Sequence, residues 1–132
     1  MNRRIAPLSI ETVGVIGAGT MGHGIAQVAA GAGFKVLLRD VDRDSLARGI
    51  QAIERNLAKG IQLGKLTEDD RDSTLQHIRG TTRLEEIANA DLIIEAAPEQ
   101  LELKQEILRE IEKHSIKEIG RASCRERVYV LV

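Results

Sequence analysis

Three glycines near the amino terminus have the spacing of a loop that binds a nucleotide. Residues 14–27 read GVIGAGTMGHGIAQ, which places Gly17, Gly19 and Gly22 in a G-x-G-x-x-G frame. In such a loop the first glycine allows a tight turn and the second lets the backbone approach a pyrophosphate, while the third lets a helix pack closely on a strand. Since glycines are common, this pattern alone does not identify a nucleotide site, and the surrounding residues and elements must support it.

Asp40 supplies a second and independent signal, because an acid is expected about 20 residues further on, at the end of the next strand. Its carboxylate can accept hydrogen bonds from both hydroxyls of an adenosine ribose and repels a 2′-phosphate, which favours NAD over NADP. Arg39 and Arg43 lie close by in the sequence and could soften that repulsion. We therefore predict that NAD is the cofactor and that it is bound by Gly17, Ala18, Gly19, Thr20, Met21, Gly22 and Asp40.

The elements that must position these residues alternate between strands and helices. Short apolar runs predict strands at 13–16, at 35–40, around residue 78 and at 91–95. Helical periodicity and capping residues predict helices at 20–32, after Asp42 or Asp44, from Thr67, at 84–89 and at 101–114. The alternation predicts an α/β fold: a Rossmann-like doubly wound parallel sheet, incomplete at about four strands in the order 3-2-1-4, with a helical insert after the second strand. The fourth strand would then have an unpaired edge.

Composition argues against several other classes of protein. The chain has 132 residues, which is typical of one domain, and its 19 basic and 20 acidic residues nearly cancel. This charge balance, with only Phe34 and Tyr129 as aromatic residues, argues against nucleic acid and membrane partners. Glu11 interrupts the apolar run that a secretory signal would need, and a single cysteine, Cys124, excludes an internal disulfide framework. No cluster has metal-ligand spacing, and we expect a cytoplasmic protein without a metal site.

Three segments and one aspartate, taken in their order along the chain, resemble the NAD-binding domain of the 3-hydroxyacyl-CoA dehydrogenases. The resemblance is strongest to the bacterial 3-hydroxybutyryl-CoA type. These segments are VIGAGTMGHGIAQ, Asp40, GKLTEDD and DLIIEAAPEQLELKQEIL. The resemblance covers about residues 10–117, so we expect this domain to occupy residues 1–117. It implies that Glu99 and Lys104 contact the nicotinamide half of NAD, with Glu95 as a weaker candidate. The alternative is that such residues are solvated helix charges that form spaced pairs.

The resemblance also implies an activity for a longer parent protein. That activity is hydride transfer between C3 of an L-3-hydroxyacyl-CoA and NAD, in fatty acid metabolism, by a homodimer. No histidine here aligns with the family's catalytic one, so we assign no catalytic residue. We expect the chain alone to bind NAD weakly or not at all and to be inactive. In the family the insert forms a helical hairpin that helps to hold coenzyme A, which makes Lys59 and Lys65 candidate phosphate partners or else ordinary surface lysines.

Two other functions remain open on the sequence alone. A related dehydrogenase that acts on a free sugar acid or another 3-hydroxy acid would share a segment similar to PEQLELK. A non-catalytic NAD-binding module would need only the loop and Asp40. The coding sequence beyond Lys117 would separate these readings, because an acyl-CoA enzyme needs a coenzyme A groove.

Residues 118–132 are expected to form a non-native tail. EIGRASCRERV has three arginines, a lone cysteine and no apolar period. It matches no part of the family and resembles the in-frame translation of a short-read sequencing adapter; a divergent natural tail is the alternative. The VYVLV that ends the chain has high β-propensity and could occupy the position beside the fourth strand. We predict that independent genomic DNA will show a different reading frame after Lys117. A frame that continues through EIGRASCRERV would contradict this.

Overall fold

The computed structural model describes residues 10–96, 109–110 and 128–131. The elements in chain order are β1 (Thr12–Ile16), α1 (Thr20–Gly31), β2 (Lys35–Arg39), α2 (Arg43–Gln62), α3 (Glu68–Gln76), β3 (Ile78–Thr81), α4 (Leu84–Ile87), β4 (Leu92–Glu95) and β5 (Val128–Leu131). Arg109 and Glu110 are helical, as the predicted helix at 101–114 requires, and most of that helix lies outside the described residues.

The strands form one parallel sheet in the order β3-β2-β1-β4-β5. The α/β doubly wound class and the order 3-2-1-4 of the first four strands are confirmed. Ile16 of β1 pairs in register with Arg39 of β2 and with Glu95 of β4. The carboxyl ends of these three strands are therefore level, and this is the edge where open α/β sheets bind ligands.

The edge of β4, expected to be unpaired in a sheet of about four strands, is paired here with a fifth strand, in the position that the sequence allowed for VYVLV. β5 lies parallel beside β4, with Ile93 opposite Tyr129 in the Cα register. The edge of β4 offers unpaired backbone groups, and the β-branched residues of VYVLV favour the extended backbone that pairs with them.

Helices cover both faces of the sheet. Consecutive side chains of β1 lie on opposite faces of the sheet. Val15 belongs to a buried cluster with residues of α1 and α2, whereas Ile16 packs with α4 and β4. The first cluster is the larger one and is built from Val13, Val15, Ala18, Ala26, Ala30, Val36, Leu38, Leu46, Ile53 and Leu57. The alternation of side chains along each strand thus produces the doubly wound arrangement.

The predicted helical insert between β2 and β3 is confirmed as α2 and α3. Asp42 caps α2, where its carboxylate accepts a hydrogen bond from the backbone N–H of Ser45 at 2.8 Å. Thr67 and Asp70 form a capping box at the start of α3, with both hydrogen bonds at 3.0 Å. The hydrogen bond from the Ser45 N–H at the start of α2 is also the main cause that lowers the pKa of Asp42. Among the described residues, no helix is long and apolar enough to cross a membrane.

Candidate functional site

The glycine loop connects the end of β1 to the start of α1. Gly17 has a φ of 104°, a left-handed conformation that strongly favours glycine. Its N–H donates a hydrogen bond to the carbonyl oxygen of Arg39 at 2.7 Å. The first glycine therefore provides the sharp turn, and the loop is attached at this point to the end of β2.

Asp40 contacts the same loop directly. Its Oδ2 accepts a hydrogen bond from the N–H of Ala18 at 2.8 Å, and its Oδ1 accepts one from the N–H of Val41 at 2.7 Å. Ala18 is 3% exposed, whereas Asp40 is half-buried. The glycine frame and the acid, predicted separately from the sequence, thus lie side by side at the carboxyl edge of the sheet.

The amino terminus of α1 carries no acidic residue in its first turn. Gly19 occupies the N-cap, and none of the described side chains caps this end with a hydrogen bond. The first N–H groups of a helix lack partners within the helix, and their partial positive charge attracts anions. Gly19, Thr20 and Met21 are exposed, and a Cβ added at Gly19 would meet nothing within 4 Å. The end of the helix is therefore open to an anionic group.

Gly22 is buried where α1 passes over the loop. A Cβ added there would overlap the carbonyl oxygen of Gly17 and lie 2.7 Å from its carbonyl carbon. Any side chain at this position would push the helix away from the end of β1. The third glycine thus allows the close packing that its place in the frame predicts.

A cavity of about 250 Å³ lies between the loop and α2. Its walls are formed by Ala18, Gly19, Thr20, His23, Asp40, Ser45, Arg48, Gly49 and Ala52. Arg48 was not predicted from the sequence. The signal that could have found it is the spacing of 45, 48, 49 and 52, which places these residues on one face of a helix that follows Asp40.

The arginine that lines this cavity is Arg48 and not Arg39 or Arg43, the two that the sequence places near Asp40. Arg39 is half-buried, and its Nε donates to the carbonyl oxygen of Thr82 at 3.3 Å. Burial lowers the pKa of Arg39, and the charge of Asp40 partly opposes that shift. Arg43 is exposed and lines a different groove, along β3. Arg48 instead lines the cavity with Asp40, and its Nη2 donates to the Oγ of Ser45 at 3.1 Å.

The remaining predicted residues have different outcomes. Glu95 is 1% exposed at the carboxyl end of β4, next to Ala96, whose N–H donates to the carbonyl oxygen of Ile16 at 2.8 Å. Glu99 and Lys104 lie outside the described residues, and their contact with NAD stays a prediction. Lys59 and Lys65 are both exposed, near the turn between α2 and α3.

The histidines of the described part of the chain do not form a metal centre. His23 is half-buried in the wall of the cavity, as expected for a residue at the rim of the loop. The Nδ1 of His77 lies 2.7 Å from the carbonyl oxygen of Ser73, at the end of α3. No group of three or more His, Cys, Asp or Glu side chains in residues 10–96 and 109–110 could hold a metal ion.

Comparison with known proteins gives one consistent family. Residues 12–119 match the family described as 3-hydroxyacyl-CoA dehydrogenase, NAD binding domain. The chain is 45% identical over 102 residues to 3-hydroxybutyryl-CoA dehydrogenase of Bradyrhizobium diazoefficiens, covering 77% of this chain and 35% of that protein. It is 42% identical over 104 residues to 3-hydroxyadipyl-CoA dehydrogenase of Escherichia coli, covering 79% of this chain and 22% of that protein.

A solved structure gives the same result at the level of the fold. The crystal structure of (S)-3-hydroxybutyryl-CoA dehydrogenase from Ralstonia eutropha matches with a TM-score of 0.77 and 41% identity, covering 80% of this chain and 37% of that chain. In these three comparisons the chain spans between about a fifth and two fifths of the length of its relatives.

Proposed function

Because this chain belongs to the family of 3-hydroxyacyl-CoA dehydrogenase NAD-binding domains, we propose that its glycine loop and Asp40 hold NAD. The pyrophosphate would lie over the amino terminus of α1, and the adenosine ribose would lie at Asp40. The observation that carries this proposal is the uncapped start of α1, open to solvent beside a carboxylate that is already bound to the loop.

The residues present fit this cofactor. A carboxylate has about four acceptor positions, and the two backbone N–H groups bound to Asp40 leave room for two ribose hydroxyls. The open space above Gly19 lets a pyrophosphate approach the backbone. When bound, NAD supplies a hydride acceptor, and the residues of this chain bind and orient it. Our assignment covers Gly17, Ala18, Gly19, Thr20, Met21, Gly22 and Asp40, with Glu99 and Lys104 on the nicotinamide side.

For the whole protein we propose an oxidoreductase that interconverts L-3-hydroxyacyl-CoA and 3-oxoacyl-CoA. The names of the relatives support the acyl-CoA class but differ in the acyl group, hydroxybutyryl in one and hydroxyadipyl in another. Within this proposal Lys59 and Lys65 are candidate partners of the coenzyme A phosphates. A homodimeric parent, a cytoplasmic location and a role in fatty acid metabolism complete the proposal, and these rest on the sequence and the resemblance.

Replacing Asp40 by alanine in the full-length parent tests the ribose contact. Loss of hydrogen bonds to a charged acceptor costs about 1.5–3 kcal/mol, which corresponds to about 10–150-fold weaker NAD binding. NADP binding is expected to fall much less, because the repulsion of its 2′-phosphate is removed at the same time. Titration calorimetry with both cofactors measures this change in discrimination.

Asp42→Ala is the matched control, since Asp42 belongs to the same connection and caps α2 without lining the cavity. This variant is expected to keep both the NAD affinity and the preference over NADP. An unchanged NAD affinity in Asp40→Ala would show that the ribose assignment is wrong.

The 132-residue chain alone is expected to show no dehydrogenase activity. The catalytic histidine and glutamate of the family correspond to no residue of this chain. No group is therefore expected to transfer the proton of the substrate hydroxyl. The measurement is NADH oxidation in the presence of acetoacetyl-CoA, with an intact relative as positive control. Turnover that copurifies with the chain would contradict the prediction.

A further inference from the structure

The backbone of Ala18 is held from two directions. On its amide side, the Oδ2 of Asp40 accepts the Ala18 N–H at 2.8 Å. On its carbonyl side lies Gly49 of α2, where an added Cβ would be 2.6 Å from the oxygen of Ala18 and 2.8 Å from its Cβ. The helix therefore approaches the loop so closely that only a glycine fits at this point.

The hydrogen bond from Ala18 has a physical reason to be strong. Its acceptor is a carboxylate, and hydrogen bonds with a charged partner are about twice as strong as neutral ones. Ala18 is 3% exposed, and in the native loop its N–H is bonded to the carboxylate of Asp40 rather than to water. The neighbouring Gly17 N–H is already used by the carbonyl oxygen of Arg39, which fixes the loop one residue earlier.

These contacts fix the loop before any ligand arrives. A loop that is already ordered does not have to lose conformational freedom on binding, and the affinity is higher for that reason. Gly19 and the start of α1 directly follow Ala18, so the position of the Ala18 peptide sets where the open N–H groups point. Through this bond Asp40 supports the backbone that leads to the pyrophosphate end of the proposed site.

We propose that Asp40 and Gly49 are positioning residues that hold the glycine loop in the conformation that binds the cofactor. Asp40 then contributes twice to affinity, once through the ribose hydroxyls and once through the Ala18 N–H. The second contribution exists without ligand. The effect on affinity rests on the proposed NAD site, whereas the effect on the loop does not.

Hydrogen exchange of the Ala18 amide tests the loop contact in the ¹⁵N-labelled 132-residue chain without ligand. In Asp40→Ala the Ala18 amide is expected to exchange at least about tenfold faster, because it loses a charged acceptor. In Asp40→Asn one side-chain oxygen remains for the two N–H groups of Ala18 and Val41, so the protection at Ala18 is expected to be intermediate between the native chain and Asp40→Ala. The amides of β1 report whether the sheet is intact. An unchanged rate at Ala18 in a folded Asp40→Ala variant would overturn the proposal.

An analogue of NAD that lacks both hydroxyls of the adenosine ribose, titrated into the full-length parent and its variants, separates the two contributions of Asp40. If Asp40 acted through the ribose alone, the analogue would bind the native chain and Asp40→Ala equally well, and that result would overturn the proposal. We expect the analogue to bind Asp40→Ala at least about threefold more weakly than the native protein, with partial recovery in Asp40→Asn. If the native full-length parent binds neither ligand, the NAD proposal fails and the exchange experiment still decides the loop contact.

Gly49→Ala tests the other side of the Ala18 peptide, with Gly60→Ala as the matched control in the same helix. A Cβ at Gly60 would meet only the side chain of Leu66, which can move, whereas a Cβ at Gly49 would meet the loop backbone. Gly49→Ala is expected to speed Ala18 exchange and to weaken NAD binding, and Gly60→Ala is expected to change neither. Equal behaviour of the two variants would exclude a role of Gly49 in the loop.

Discussion

Replacing Gly22 by alanine is expected to abolish NAD binding and to lower the free energy of unfolding by about 1–3 kcal/mol. The added methyl group would overlap the carbonyl oxygen of Gly17, a backbone atom that cannot rotate away. Either α1 moves outward or the turn at Gly17 opens, and both changes displace the helix start from the position of the pyrophosphate. Urea unfolding followed by far-ultraviolet circular dichroism measures the stability, and NMR titration measures the binding.

Two other glycines of the same segment separate these effects. Gly19→Ala adds a methyl group where the structure has open space, so it is expected to weaken NAD binding by contact with the ligand and to leave the stability unchanged. Gly24→Ala also meets nothing within 4 Å and lies inside α1, where alanine is expected to stabilise the helix by about 0.5–1 kcal/mol. Native binding by Gly22→Ala would refute the packing role of the third glycine.

The sequence was sufficient to predict the framework of the site because several local signals agree there. The apolar run of β1, the glycine frame and the aspartate after β2 each require the same strand, loop and helix order. Asp42 and Thr67 are residues whose side chains cap helices, so the starts of α2 and α3 could be placed closely. The order of the first four strands followed from the alternation of strands and helices and from the doubly wound topology that it predicts.

Other features depend on contacts that no local pattern contains. Arg48 was missed because the face of α2 that carries it can be assigned to the site only once Gly49 is known to lie against Ala18. The bond from Ala18 to Asp40 joins residues far apart in the sequence, and the ribose rule alone gives no reason to expect it. The pairing of β5 with β4 could be foreseen only as one possibility, because a free strand edge accepts any segment of sufficient β-propensity.

Replacing Asp91 by alanine is expected to lower the free energy of unfolding by about 2–3 kcal/mol. Asp91 is 5% exposed and immediately precedes β4, and its Oδ2 accepts hydrogen bonds from the backbone N–H groups of Glu11 at 2.9 Å and Thr12 at 3.1 Å. Its own N–H donates to the carbonyl oxygen of Thr12 at 3.0 Å. The carboxylate thus joins the starts of the two central strands, and alanine would leave their N–H groups without this acceptor.

Asp91→Asn is the matched control, because both bonds end on one oxygen and the amide oxygen of asparagine can take its place. We expect this variant to lose about 1 kcal/mol or less, which is the difference between a charged and a neutral acceptor. The melting temperature should therefore be highest for the native chain, lower for Asp91→Asn and lowest for Asp91→Ala, which should melt about 10 °C below the native chain. An alanine variant as stable as the native chain would contradict this. Because Asp91 lies at the opposite end of β4 from Glu95, folded Asp91→Ala is expected to keep the native affinity for NAD.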